Sequence, residues 1–155
     1  MTRTLAIYLG QFSSFNVRQT VRNIGLMISD SFDLHLVTSK PSVFDRFSEY
    51  GFSVHSPVTG ESVLSEIRVL RQYLDANDPD VITQIGDVPI YGNVISVLKD
   101  SETKFVCRYS GTIFTEYRHQ VGVNRAKIFV LKNGFGRLPL RSADRVISMG
   151  PREKL

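Results

Sequence analysis

Leu5 to Leu9 reads LAIYL, apolar at every position, and Gly10 stops it. A strand of that kind has no face to show to water, so it must be paired and covered on both sides, as in a parallel sheet held between layers of helices. The next segment supplies such a layer. Val17, Val21, Ile24 and Ile28 recur at helical spacing and put one apolar stripe on a helix from about Asn16 to Ser29, with Ser13 and Ser14 available as caps.

The alternation continues along the chain. Leu34 to Val37 reads as a second strand, Pro41 and Ser42 open a short helical segment that ends at Gly51, and Phe52 to His55 fits a short third strand. Glu61 to Ala76 is the clearest helix, with Val63, Ile67, Leu70 and Leu74 on one face and Arg68 and Arg71 for the other; Asn77, Asp78 and Pro79 end it. Val81 to Ile85 is a fourth strand closing on Gly86 and Asp87, and Pro89 to Leu98 a helix with its proline in the first turn. Lys104 to Tyr109 is a fifth strand ended by Ser110 and Gly111. Asn124 to Lys132 reads as a helix stopping at Asn133 and Gly134, and Asp144 to Ser148 as a sixth strand. The expected architecture is a Rossmann-like three-layer α/β/α domain over residues 1–155, with a mainly parallel sheet of about six strands and right-handed crossovers. Ligands bind such sheets outside the carboxyl ends of the strands, so the loops Gly10 to Ser14, Gly86 to Val88 and Ser110 to Tyr117 are expected along one edge.

Composition agrees with one folded domain. Of the 155 residues 42% are hydrophobic and 22% charged, and no apolar run approaches the roughly 20 residues that span a bilayer. The run near the N-terminus is too short for a signal peptide. Cys107 is the single cysteine, so no intrachain disulfide forms, and a reducing, cytoplasmic compartment is expected. The net charge of +4 is unevenly placed: Met1 to Thr115 carries 10 Lys and Arg against 12 Asp and Glu, Glu116 to Leu155 carries 9 against 3. A basic final third fits a phosphate-bearing ligand, an anionic membrane surface or a plain solvated face.

Several chemistries are excluded by pattern. Gly10 to Ser14, GQFSS, is neither G-x-G-x-x-G nor a phosphate loop with Gly-Lys-Ser/Thr, so standard dinucleotide and P-loop nucleotide binding are disfavoured. His35, His55 and His119 lie far apart without companions at ligand spacing, which argues against zinc, and no G-x-S-x-G elbow supports a serine nucleophile. Cys107 is expected to pack in the core. What the carboxyl edge does offer is a glycine turn with free helix N–H groups, where an anion or a sugar hydroxyl fits and where an ordinary strand-to-helix turn is the alternative. Asp87 and Glu116 are acids placed for sugar hydroxyls or proton transfer, although a helix N-terminus alone also favours Asp87. Arg108 and Arg118 flank RYSGTIFTEYR and suit bidentate phosphate pairing, and Arg108, within a strand, needs a partner if buried. His119 is a lesser candidate beside them.

Four segments, DLHLVTS, PDVITQIG, KFVCRYSG and RSADRVIS, in this order and at these intervals, resemble the N-terminal half of retaining GT-B glycosyltransferases of the glycosyltransferase family 4 type. The resemblance covers essentially the whole chain. It implies a Rossmann-like lobe that binds the acceptor, with the nucleotide-sugar donor held by a second lobe. It also implies acceptor-side roles for Gly10, Gln11, Phe12 and Ser13 and for the segment after the fifth strand, Ser110 and Gly111 included. With the cleft residues Gly86, Asp87, Arg108, Glu116 and Arg118 these form the acceptor-binding candidates, and no catalytic residue is assigned. Two positions depart from the family's habit: Gln11 stands where a second glycine is common, and Ser110 where a histidine is common.

The sixth strand ends seven residues before Leu155, so a donor lobe is expected to be missing: either it comes from a separate chain or a second subunit, or this chain is a fragment. The resulting expectation is the acceptor-binding half of a glycosyltransferase acting on a glycan or lipid-linked acceptor. It binds no cofactor of its own beyond the donor held by the other lobe, and sits in the cytoplasm or peripherally at the inner membrane face. Arg125, Lys127 and Lys132, interleaved with Ile128, Phe129 and Leu131, fit an anionic membrane surface or an ordinary amphipathic crossover helix. Nucleic acid is not expected as a partner, since the basic third holds no reader motif. The alternative is a non-catalytic Rossmann-like ligand-binding or interaction module.

Overall fold

A computed structural model of the chain describes residues 2–57, 62–85, 89–109, 129, 133–134 and 136–148. Six strands form one sheet: β1 (Arg3–Gly10), β2 (Phe32–Thr38), β3 (Phe52–His55), β4 (Val81–Gln84), β5 (Lys104–Tyr109) and β6 (Arg145–Ser148). Their order across the sheet is β3-β2-β1-β4-β5-β6, and every neighbouring pair is parallel. The helices are α1 (Phe15–Ile28), α2 (Val63–Ala76), α3 (Pro89–Leu98) and the short α4 (Leu138–Ser142). The Rossmann-like three-layer expectation is met.

β1 lies at the centre and is buried on both sides, Ala6 to Leu9 having no exposed surface. Its side chains alternate between two cores. Ile7 and Leu9, with Leu34 and Leu36 of β2, meet Val17 and Val21 of α1 and the rings of Phe44 and Phe47. Ala6 and Tyr8, with Val37, Ile82, Phe105 and Cys107, meet Val69, Leu70 and Tyr73 of α2 and Tyr91, Val94 and Ile95 of α3. The chain thus moves outward from β1 to β2 along one face and returns to β4 and β5 along the other. Crossovers of a single hand require that arrangement, because reversing direction across the sheet reverses the face.

Several boundaries differ from the sequence expectation. The segment from Pro41 to Tyr50 is two 3-10 turns, Pro41–Val43 and Asp45–Tyr50, interrupted at Phe44, whose φ of −118° is not helical. Phe44 has no exposed surface, so its burial under the sheet takes precedence over continuous helical hydrogen bonding. α2 begins at Val63 behind a capping box of Ser62 and Ser65, not at Glu61. Its buried face is also rotated from the expected one: Glu66, Val69, Leu70 and Tyr73 point inward, with Ile67 and Leu74 only flanking them. α4 was not expected. The expected helix at Asn124 to Lys132 falls almost wholly outside the described residues.

The amino edge is closed by a device used twice. Asp80, just before β4, accepts the Thr4 N–H of β1 through Oδ2 at 2.8 Å. Asp144, just before β6, accepts the Phe105 N–H of β5 at 2.9 Å and donates its own N–H to the Phe105 carbonyl at 2.9 Å. Asp144 therefore precedes the strand rather than starting it. The Phe105 N–H, with Lys104 and Lys99 nearby, holds its carboxyl below the usual range.

At the β2–β3 side, on the α2 face, aromatic and titratable groups stack. Burial pushes the Tyr73 hydroxyl upward, and its oxygen lies 2.8 Å from His35 Nδ1, while His35 Nε2 lies 3.3 Å from Asp33 Oδ2. The His55 ring lies 4.4 Å from the His35 ring, and its Nε2 is buried with no hydrogen-bond partner among the described residues. Burial first, then the neighbouring His35, lowers the His55 pKa, with Asp33 opposing. A lowered histidine pKa means that the unfolded chain binds the proton more readily, so this contribution to stability is present above the unfolded value and lost as pH falls through the folded one. Thermal unfolding of the chain should show a melting temperature that declines below about pH 6.5, and His55→Phe should make that decline shallower.

Candidate functional site at the carboxyl edge

The strand order reverses at β1, whose neighbours are β2 on one side and β4 on the other, and the crossovers leaving β1 and β4 lie on opposite faces. That divergence opens a crevice outside the carboxyl ends of these strands. Gly10 ends β1 there with φ of +54°, a left-handed conformation that suits glycine. Its carbonyl accepts the Ser39 N–H at 3.0 Å and the Thr38 hydroxyl at 2.9 Å, tying the ends of β1 and β2 together. The loop then turns over the ring of Tyr91, and a Cβ on Gly10 would run into that ring.

Tyr91, from the first turn of α3, is the floor of the loop. Its ring meets Tyr8 edge-on at 5.3 Å and Phe12 edge-on at 5.9 Å. Its hydroxyl accepts the Gln11 N–H at 3.3 Å and donates to Glu66 Oε1 at 3.1 Å. Glu66 stands in the first turn of α2, only 6% exposed, and its backbone carbonyl accepts the Tyr8 hydroxyl at 2.9 Å. The Ser62–Ser65 box that starts α2 sets this turn, with Ser62 Oγ accepting the Ser65 N–H at 3.1 Å.

Burial dominates the electrostatics. It raises the Glu66 carboxyl above the ordinary range, while hydrogen bonds from Tyr91 and the Gln11 N–H, and the charge of Lys40, pull it back. Burial likewise pushes the Tyr91 hydroxyl up to about 12, so it remains a donor. Two further buried polar atoms flank β1 at this edge. Ser39 Oγ, just past β2, and Gln84 Oε1, at the end of β4, have no hydrogen-bond partner among the described residues. The Gln84 amide nitrogen reaches the Arg108 carbonyl and Cys107 Sγ, each at 3.4 Å.

Of the residues singled out from the sequence, Gly10, Gln11, Phe12 and Ser13 form the loop described above. Arg108 is half-buried on β5, in register with Ile147 of β6. Cys107 is buried in the core, its thiol pushed up by burial. Gly86, Asp87, Ser110, Gly111, Glu116, Arg118 and His119 lie outside the described residues. Among the described residues, no group of three or more His, Cys, Asp or Glu stands where it could hold a metal ion. Nor is any described helix long and apolar enough to cross a membrane.

Sequence reasoning missed Glu66, Tyr91 and Lys40. A signal did exist: Glu66 is followed at helical spacing by Leu70 and Tyr73, so a face centred on them already contains an acid.

The geometry narrows the chemistry of the loop. Gln11 N–H is turned inward to Tyr91 and Glu66, and Phe12 N–H to the Leu9 carbonyl at 2.9 Å. At the α1 cap, Val17 N–H is satisfied by Ser14 Oγ at 3.4 Å. An anion would find the first two loop amides occupied and a buried acid beneath them. A neutral hydroxyl, able both to donate and to accept, suits this edge better.

No protein-family model matches the chain, and no curated protein matches it. Among solved structures, it is similar to a Listeria monocytogenes protein assigned as a UDP-N-acetylglucosamine 2-epimerase, with a TM-score of 0.55 and 11% identity. The shared fold is the Rossmann-like α/β domain. The match takes in 96% of this chain and 40% of that protein, so this chain spans well under half of its neighbour's length. At such identity the likeness is one of fold.

Replacing Gly10 by alanine should destabilise the protein by about 1–3 kcal/mol, since the Cβ meets both an unfavourable backbone region and the Tyr91 ring. Urea unfolding measures the loss.

Proposed function

We propose that the chain is the acceptor-binding half of a nucleotide-sugar-dependent glycosyltransferase, completed by a donor-binding lobe. The observation that carries the reading is the structural match, in which nearly the whole chain aligns with a minor part of a larger protein named for a UDP-sugar. The resemblance of DLHLVTS, PDVITQIG, KFVCRYSG and RSADRVIS to family 4 glycosyltransferases supports the same assignment, and the carboxyl-edge loop supports a hydroxylated acceptor.

In this mechanism the nucleotide-sugar is clamped by the other lobe. The present half presents the acceptor hydroxyl across the crevice, with the Gly10 to Ser13 loop and the residues following β4 and β5 orienting it. It supplies orientation and exclusion of water rather than phosphate stabilisation. The reading carries a cytoplasmic location, peripheral at the inner membrane face where the acceptor is lipid-linked.

Sugar transfer should be measured with the full chain alone, with a donor lobe alone, and with both. Transfer is expected only in the mixture; transfer by the chain alone would refute the need for a partner, and binding without transfer in every mixture would favour the non-catalytic module. In a second measurement, a neutral disaccharide should shift the backbone amide resonances of Gly10 to Ser13, and inorganic phosphate at the same concentration should not.

A further inference from the structure

Gln11 N–H, Tyr91 hydroxyl and Glu66 carboxylate form a chain of contacts that begins in the loop and ends in the first turn of α2. The links are 3.3 Å from Gln11 N to the Tyr91 oxygen and 3.1 Å from that oxygen to Glu66 Oε1. Each participant is held from outside the chain. Tyr91 is gripped by the rings of Tyr8 and Phe12, and Glu66 by the Tyr8 hydroxyl on its carbonyl and by the capping box below it.

We infer that Glu66 and Tyr91 are positioning residues for the acceptor loop, fixing the shape of Gly10 to Ser13 from beneath by holding the Gln11 amide, and that the proton on Glu66 sets how firmly the loop is held. The inference rests on the reading of this edge as the acceptor site, but its mechanism is local. With Glu66 ionised, Oε1 accepts from the Tyr91 hydroxyl, and the Tyr91 oxygen, polarised by that bond, accepts the Gln11 N–H. Protonation weakens Glu66 as an acceptor, and the hold on Gln11 slackens with it.

Among the described residues the groups facing Glu66 are Tyr8 from β1, the Gln11 N–H from the loop, Lys40 beyond β2 and Tyr91 from α3. Burial against these elements raises the carboxyl, so the change in proton occupancy falls at milder pH than for a solvated glutamate. Tyr91 does not titrate in the same range, since burial pushes its hydroxyl up to about 12.

The test uses the full chain and no ligand. Amide exchange and the nitrogen shift of Gln11 are followed against pH in the wild type, Glu66→Gln, Glu66→Leu and Tyr91→Phe. Glu66→Leu, which removes the acceptor, should speed Gln11 exchange about tenfold, in line with the loss of one hydrogen bond to a charged group. Tyr91→Phe, which removes the hydroxyl that accepts the amide, should speed it at least as much. Glu66→Gln, a neutral acceptor like the protonated acid, should show the protection that the wild type has once Glu66 is protonated, less than with Glu66 ionised. In the wild type the Gln11 shift should titrate with a midpoint above the ordinary carboxylate range, and in Glu66→Gln it should be flat.

A Gln11 titration that persists in Glu66→Gln would overturn the inference. So would exchange that rises equally at Ile7 and Ile82 in the sheet, which is what a general loss of packing produces. Should Glu66→Leu not fold, the other two variants decide. These outcomes involve no sugar, so failure of the acceptor reading would leave them intact, and their failure would leave that reading open to its own transfer assay.

Discussion

The structure depends on the burial of β1. A strand whose central residues have no exposed surface must find hydrogen-bond partners on both edges and apolar cover on both faces. β2 and β4 satisfy the edges in parallel register, and α1 on one side with α2 and α3 on the other satisfy the faces. This arrangement also places the site. Because the chain departs from β1 over one face and comes back over the other, the carboxyl end of β1 is where the two helical layers part, and the Gly10 loop emerges into that gap.

Polar groups at the two ends of the sheet do opposite work. At the amino edge, Asp80 and Asp144 stand just outside their strands and take an N–H from the neighbouring strand, holding the register of β4 against β1 and of β6 against β5. The Asp-Val of PDVITQIG and the Asp-Arg-Val of RSADRVIS are thus the same architectural element, remote from the crevice. At the carboxyl edge the polar groups are buried and inward: Glu66 and Tyr91 shape a loop rather than lock a strand. Glu66 is tolerated inside the apolar face of α2 because Tyr8 occupies its carbonyl and Tyr91 its carboxylate; without such partners a buried acid would cost several kcal/mol.

Much of the fold was legible in the residues taken one segment at a time. Continuous apolar runs such as LAIYL, and stripes such as Val17, Val21, Ile24 and Ile28, are local patterns whose period reports strand or helix directly. The loop at Gly10 was legible for the same reason, as a glycine between a strand and a capped helix. The inward face of α2 was harder to read. Its apolar residues admit two neighbouring faces, and the choice between them turned on Tyr8 and Tyr91, 58 and 25 positions from Glu66 in the sequence. The interruption at Phe44 was hidden likewise, because a proline-led polar stretch looks helical until the ring has a cavity to fill.

The amino-acid sequence by itself determined that this protein alternates strands and helices around a parallel sheet, and that a glycine turn ends its first strand, because these follow from short-range periodicity and backbone preference. Only the tertiary structure decided that the strands run 3-2-1-4-5-6 and that an acid lies beneath the Gly10 loop. Strand order depends on which distant edges meet, and the burial of Glu66 depends on hydroxyl groups that reach it from other strands and helices. Neither can be read from any single segment.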